Sequence, residues 1–248
     1  MQWRRWAVLA LSLLLARYLL WRVSSTLNFS SPAVAGLSLL LLGCELVLLV
    51  SAFLPLWFSL TPARTLKPQP LQRFPAVDLL LPSCGEPLAV VRRSLQGALA
   101  VHYPELTVWL LDDSDRSELR QLAEELGCRY QARCSHAHAK AGNLNAALPQ
   151  LQGELVAVMD ADVVPQRGFL QRTVSLLEQD SGAALVQTPQ SYMNADPVLR
   201  NLQLERWLLP DEEAFYRWVE PVRQGVGAVV CAGTSFVVRR RALMAVGG

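Results

Sequence analysis

The chain has little charge and almost no charge imbalance. Charged residues make up 18% of its 248 positions, and 23 Lys+Arg against 21 Asp+Glu leave a formal net charge of +2. That balance lacks the basic excess of a nucleic-acid-binding surface, so no nucleic acid is expected as a partner. The five cysteines, Cys44, Cys84, Cys128, Cys134 and Cys231, include no Cys-x-x-Cys pair. This absence, with the odd count, excludes a closed disulfide framework and the usual structural zinc spacings. They read as reduced thiols. Internal repeats and low-complexity segments are also missing, which excludes repeat architectures. Apolar residues are abundant, at 52%. A disordered chain is excluded by that content, and a wholly soluble one is disfavoured.

The apolar excess is concentrated at the N-terminus. WAVLALSLLLARYLLW, over 6–21, lies between Arg4-Arg5 and Arg22, and a second run over 32–60 is interrupted only by Glu45. A bilayer-spanning helix needs roughly 20 apolar residues. Two membrane spans, about 3–22 and 34–58, are therefore expected, with Trp3 and Trp21 at the interfaces. Arg17 is near enough to the end of its run to snorkel. Glu45 is nearer the middle, where an ionised carboxylate is costly, so it should be protonated or hydrogen-bonded to a neighbouring helix. A cleaved signal peptide is the rival reading of the first run. Against it, Arg17 closes the core and the small-residue site Ala33-Val34-Ala35 lies far downstream.

Orientation follows from the basic residues. Arg4 and Arg5 precede the first run, and Arg64, Lys67 and Arg73 follow the second. That bias places both termini and the following domain in the cytoplasm, on a multi-pass anchor in the inner or plasma membrane. The stretch 62–75, with Pro62, Pro68, Pro70 and Pro75, reads as a stiff linker.

From residue 76 the chain alternates between two periods. Strands are expected at 77–81, 106–111, 129–132, 155–159 and 184–187, and helices at 88–100, 117–126, 141–148 and 169–178. Strands alternating with helices of about ten residues define a mostly parallel, Rossmann-like α/β sheet. In such sheets the ligand binds beyond the carboxyl ends of the strands. Those ends carry Ser83-Cys84-Gly85-Glu86, Asp112-Asp113-Ser114-Asp115 and Asp160-Ala161-Asp162. Carboxylates gathered on one edge repel unless a cation lies among them. Asp160 and Asp162 are spaced to reach one hard cation, Mg²⁺ or Mn²⁺, shared with phosphate oxygens. Lys140, beside Gly142 near a helix start, suits a phosphate. The pattern predicts a metal–diphosphate ligand.

These residues also carry a resemblance. VDLLLPSCGEP, YPELTVWLLDDS, HAKAGNLNAAL, VMDADVVP, VQTPQSYMNADPVLRNL and CAGTSFVVRRRAL, in that order over about 76–248, resemble the blocks of family 2 glycosyltransferases of the GT-A fold. Among these they are most similar to cellulose synthase catalytic subunits. The resemblance implies that Asp112 and Asp113 meet uracil, ribose or metal. By the same likeness, Ser83 and Glu86 flank the nucleotide and Lys140 binds the diphosphate; His138 either lines the site or is a solvated loop ring. Asp160 and Asp162 hold the metal, with Asp160 also at the donor, and Gly233 and Thr234 border the acceptor sugar. It further implies inverting transfer from a UDP-sugar, UDP-glucose extending β-1,4-glucan being the leading case. The partners implied are a growing glucan acceptor, the lipid bilayer and accessory synthase subunits.

One departure is an absence. Related chains continue past a Gly-Gly like Gly247-Gly248 into a Thr-Glu-Asp block, whose aspartate is the general base, and a Gln-x-x-Arg-Trp block. Neither occurs here, so no general base is expected among these residues. A donor-binding or scaffold protein without turnover, and a transferase making another polysaccharide or a glycolipid, stay open.

Three smaller expectations complete the reading. His136 reads as a solvated loop ring, and the two loop histidines are not expected to ligate metal, since no third His or Cys has suitable spacing. Cys84 has no evident histidine partner. The aromatic-rich stretch 197–222 reads as one amphipathic helix at a membrane surface.

Overall fold

The computed structural model describes residues 2–61, 66–133 and 135–248. Pro62 and Arg64 of the linker and Cys134 lie outside the described residues. The chain divides into two compact units, Met1–Thr65 with Met193–Val230, and Leu66–Tyr192 with Cys231–Gly248.

The second unit holds a six-stranded sheet of order β3-β2-β1-β4-β6-β5. Its strands are β1 (Val77–Ser83), β2 (Leu106–Asp112), β3 (Arg129–Ala132), β4 (Leu155–Val158), β5 (Leu185–Gln187) and β6 (Phe236–Arg239). β1 to β4 run parallel, while β6 is antiparallel to both β4 and β5. Helices α3 (Leu88–Leu99), α4 (Ser117–Leu126), α5 (Ala139–Ala147) and α6 (Phe169–Gln179) connect them; α10 (Arg240–Ala245) follows β6.

The central strands β1, β2 and β4 are largely apolar runs because both faces are covered. Leu79, Leu81, Leu110, Leu155 and Ala157 point to a core shared with Leu95, Leu122 and Val174 of α3, α4 and α6. Leu80, Trp109, Leu111, Val156 and Val158 point the other way, to Ala147, Leu148 and Phe236. The period of two along each strand decides which neighbour belongs to which core. β1 also extends past its expected end at Pro82. Proline has no N–H to donate, but pairing with β4 stops at Leu80↔Val158, so no ladder bond is lost on that side. β6 was not foreseen. Its apolar stretch Phe236-Val237-Val238 is short and runs straight into three arginines.

Asp78 is an exception in the core. It is 3% exposed. Its carboxylate accepts from Trp109 Nε1 at 2.8 Å, the Gln152 amide at 3.0 Å and the Gly153 amide at 2.6 Å. A Cβ at Gly153 would lie 2.8 Å from Asp78, so the close approach requires glycine.

In the first unit, α1 (Gln2–Ser25) and α2 (Pro32–Phe58) are long and apolar enough to cross a membrane. Their large side chains, such as Leu13, Leu20, Leu40 and Leu48, face outward. Glu45 on α2 accepts from Arg22 Nε on α1 at 2.7 Å. The carboxylate therefore meets a cation on the neighbouring helix. Residues 197–222 do not form one helix. They break into α7 (Pro197–Asn201), α8 (Asp211–Ala214), a π-helical turn (Phe215–Val219) and α9 (Glu220–Gln224), which packs on α2. Positive φ at Gln203 and the proline at 210 interrupt the pattern, while Pro221 lies in the first turn of α9.

Removing the Asp78 carboxylate leaves three donors without their acceptor, two of them on the fixed backbone. Asp78→Ala should destabilise the second unit by about 3 kcal/mol. Thermal unfolding followed by near-ultraviolet circular dichroism measures this. An unchanged melting temperature would contradict the anchoring role.

Candidate functional site: an acidic cleft at the carboxyl edge of the sheet

Register brings the site together. Ser83 pairs with Asp112 across β1 and β2, and the amide of Met159, just past β4, donates to the Leu80 carbonyl at 3.0 Å. The three strand ends thus open on one cleft of about 410 Å³. Ser83, Cys84, Glu86, Asp113, His136, Lys140, Asn143, Asp160 and Asp162 are among the residues that line it.

At the end of β1, Glu86 accepts from Ser83 Oγ at 2.6 Å and from the Cys84 amide at 2.7 Å. Partial burial works to raise the Glu86 carboxyl. The bonds from Ser83 and the backbone amides, with the nearby Arg116 charge, outweigh it and hold the group below the usual glutamate value. Arg116 reaches across to donate to Ser83 Oγ at 2.8 Å and to the Glu86 carbonyl at 2.7 Å.

At the end of β2 the two adjacent aspartates do different work. Asp112 is fully buried. Its carboxylate accepts from the Ser114 amide at 3.0 Å, the Arg116 amide at 2.6 Å and the Tyr130 hydroxyl at 3.0 Å. It fixes the turn into α4, and it is not among the cleft residues. Burial, then the Asp112 bond, pushes the Tyr130 phenol above its usual range, so it remains a donor. Asp113 lines the cleft and is clamped by Arg133, with Nη2 at 2.8 Å from Oδ2 and Nε bonded to Oδ1. The Arg133 hydrogen bond is the largest cause holding the Asp113 carboxyl below the usual aspartate value.

Arg133 also shapes the next loop. It donates to the carbonyls of Ala137 at 2.8 Å and Ala139 at 2.6 Å. Between them the backbone is strained, with φ of +61° at His138 and +46° at Ala139. Such conformations cost on the order of 1–3 kcal/mol each for non-glycine residues. Gly142 permits the tight approach, since a Cβ there would lie 2.1 Å from the Ala137 oxygen. α5 then begins with Ala139, and Asn143 anchors it by donating to the Leu111 carbonyl at 3.1 Å.

At the end of β4, Lys140 Nζ is ion-paired with Asp160 Oδ1 and donates to the Gly233 carbonyl at 2.6 Å. Thr234 Oγ1 accepts from the Asp160 amide at 2.8 Å. Gln187 holds this segment, donating to the Thr234 carbonyl at 2.8 Å and accepting from the Ala232 amide at 2.9 Å. Asp162 is exposed at the cleft and carries no hydrogen bond or ion pair among the described residues.

Of the residues singled out from sequence, Ser83, Glu86, Asp113, Lys140, Asp160 and Asp162 line one cleft. Gly233 and Thr234 reach it through Lys140 and Asp160. Asp112 and His138 do not line it, whereas His136, read as a solvated ring, does. Sequence reasoning missed Arg116, Arg133, Asn143 and Gln187. The available signal was charge. Two buried aspartates need cations, and Arg116 and Arg133 are the nearest basic residues after each flanking element. No disulfide occurs among the described residues, and Cys44, Cys84, Cys128 and Cys231 are free.

In a mostly parallel α/β sheet the carboxyl ends of the strands are where ligands bind, and here that edge gathers carboxylates and a lysine. Comparison with known proteins gives the family. The family model "Glycosyl transferase family 2" matches residues 78–247, and the chain belongs to that family. It is similar to "Cellulose synthase 2" of Novacetimonas hansenii, 38% identical over 97% of this chain and 16% of that protein. It is 36% identical to "Cellulose synthase 1 catalytic subunit [UDP-forming]" of Komagataeibacter xylinus, over 94% of this chain and 32% of that one. The chain thus spans a third or less of the curated relatives it matches. Among solved structures, a mannosyltransferase of Pyrobaculum calidifontis in complex with GDP-Man and Mn²⁺ matches with a TM-score of 0.60 and 21% identity. That match covers 81% of this chain and 54% of the other, and it supports the GT-A fold.

The Arg133 clamp has a pH signature. Asp113 titrates below its ordinary value of 3.8 in the folded chain. A depressed carboxyl contributes stability above the ordinary value, and that stability is lost as pH falls through the folded value. Arg133→Ala removes the largest cause, so acid unfolding should begin at a higher pH than in the unaltered chain. Coincident acid-unfolding curves would show that the pair does not hold the loop.

Proposed function

We propose that the cleft binds a UDP-sugar and that the chain is the donor-binding region of a membrane-anchored glycosyltransferase related to cellulose synthases. The observation that carries this is the grouping of Asp160, Asp162 and Lys140 at the end of β4, facing Glu86 and Asp113 in one cleft. Asp160 and Asp162 offer hard oxygen donors, and Asp162 has no competing partner among the described residues. That donor set fits Mg²⁺ or Mn²⁺. A divalent cation held there would offset charge on the departing diphosphate.

The chain's own residues divide the remaining tasks. Lys140 is half-exposed and bonded to Asp160 and to a carbonyl. It can turn its ammonium from Asp160 to a phosphate once the carboxylate is otherwise neutralised. Arg133 holds Asp113, and Arg116 holds the Ser83–Glu86 loop, so this wall is set before a nucleoside arrives. Gln187 and Thr234 fix the segment 232–235 beside Asp160, where an acceptor sugar would approach. The acceptor hydroxyl would attack the anomeric carbon in line with the departing UDP. UDP-glucose as donor, β-1,4-glucan as acceptor and accessory synthase subunits are inferred from the relatives' names. Anchoring in the inner or plasma membrane with the cleft on the cytoplasmic side is supported by the two apolar helices and the placement of the basic residues. Domain limits of 1–61 for the anchor, 62–75 for the linker and 76–248 for the GT-A domain follow the same reading.

Binding of labelled UDP-glucose, UDP-N-acetylglucosamine and GDP-mannose to the detergent-solubilised chain tests this. UDP-glucose should bind most tightly and only with Mn²⁺ or Mg²⁺. Asp160→Ala and Asp162→Ala should each weaken metal-dependent binding by at least about tenfold. Equal binding in both variants, or a preference for GDP-mannose, would overturn the assignment.

A further inference from the structure

A second set of donors lies in the same cleft and is chemically unlike the first. Cys84, Asp113 and His136 each present a ligand atom, and these atoms all lie within 4.8 Å of one another. Cys84 and Asp113 directly follow the parallel strands β1 and β2, and His136 lies in the loop between β3 and α5, so their meeting is a product of the fold. His136 has companions that spacing alone does not reveal, because they are distant in sequence and adjacent across the sheet.

We propose that Cys84, Asp113 and His136 form a binding site for a borderline-soft divalent cation such as Zn²⁺, separate from Asp160 and Asp162. Three arguments support it. The first is ligand chemistry. A thiolate, an imidazole and one carboxylate favour Zn²⁺ or Co²⁺ over Mg²⁺, whereas the two carboxylates at the end of β4 offer oxygen alone. The second is geometry. Zn–S and Zn–N bonds of about 2.3 and 2.1 Å in a tetrahedron set neighbouring ligand atoms about 3.3–3.6 Å apart. His136 Nδ1 already lies 3.8 Å from Asp113 Oδ2. Closing the rest of the set needs shifts of about 1 Å, and Cys84 and His136 are the exposed, adjustable members.

The third argument concerns the fixed member. Asp113 is buried and oriented by Arg133, which uses one lone pair on each carboxylate oxygen. A carboxylate offers about four acceptor sites, so two remain, and a metal can take one of them on the cleft side. Arg133 thus positions the ligand much as an outer-shell partner does in other metal sites. Three protein ligands leave a fourth position open towards the cleft, as in zinc sites that exchange water for a ligand. Binding would release the thiol proton of Cys84 to solvent as the metal–sulfur bond forms.

This inference does not depend on the nucleotide reading, and its test uses metal alone. Co²⁺ is titrated into the reduced, detergent-solubilised chain in the absence of nucleotide, and the thiolate-to-cobalt charge-transfer band in the near ultraviolet is followed. The band should appear at one equivalent, vanish in Cys84→Ser and survive in Cys231→Ser. His136→Gln should weaken cobalt binding by at least about tenfold, since losing a ligand costs no less than losing its outer-shell support. Zn²⁺ should displace the cobalt, and Mg²⁺ should not. No band in the unaltered chain, a band that persists in Cys84→Ser, or unchanged affinity in His136→Gln would overturn the site. Cys84 and His136 are both exposed, so neither substitution threatens the core.

Discussion

The structure depends on how negative charge is held at the carboxyl edge of the sheet. Parallel pairing delivers Glu86, Asp112, Asp113, Asp160 and Asp162 to neighbouring strand ends. Left alone they would repel each other. Each inner carboxylate is instead given a fixed partner. Asp112 takes two backbone amides and Tyr130, Asp113 takes Arg133, and Glu86 takes Ser83 with Arg116 close by. At the end of β4 the compensation is different in kind. Lys140 is a single flexible ammonium on Asp160, and Asp162 has none among the described residues. The wall on the β1–β2 side is rigid, whereas the β4 side is left with charge that a ligand can reorganise.

The same division explains the local backbone. The loop ahead of α5 adopts two consecutive left-handed residues, His138 and Ala139. Two bonds from Arg133 and the missing side chain of Gly142 make that shape tenable. Strain there places Lys140 at the first turn of α5, facing Asp160. Arg133 thereby links the setting of Asp113 to the placement of Lys140, although among the described residues it makes no hydrogen bond or ion pair to the β4 end.

Much of the fold was legible in the sequence. Both apolar helices, five of the six strands and the four connecting helices follow from period and from run length. β6 was not legible, because its pairing is antiparallel and non-local and its apolar run is short. The stretch 197–222 shows the opposite failure. Its apolar periodicity suggests one helix, but Pro210 and a left-handed residue at Gln203 divide it. In the site, the residues at strand ends were readable because α/β sheets bind ligands there. The division of labour between Asp112 and Asp113 was not, since adjacent residues on a strand point to opposite faces and sequence does not say which face is open. Arg133 and Gln187 escaped for a related reason: their partners are set by sheet register. Glu45 was anticipated to need a partner, and the structure supplies Arg22.

In the function proposed above, the end of β4 holds a metal-bound diphosphate against Lys140. The most direct measurement is a structure of the chain with UDP and Mn²⁺, using the anomalous signal of manganese. One manganese peak is expected between Asp160 and Asp162, with the diphosphate within reach of Lys140 and the uridine beside Asp113 and Glu86. Manganese bound elsewhere, or a nucleotide lying away from the carboxyl ends of β1, β2 and β4, would contradict it.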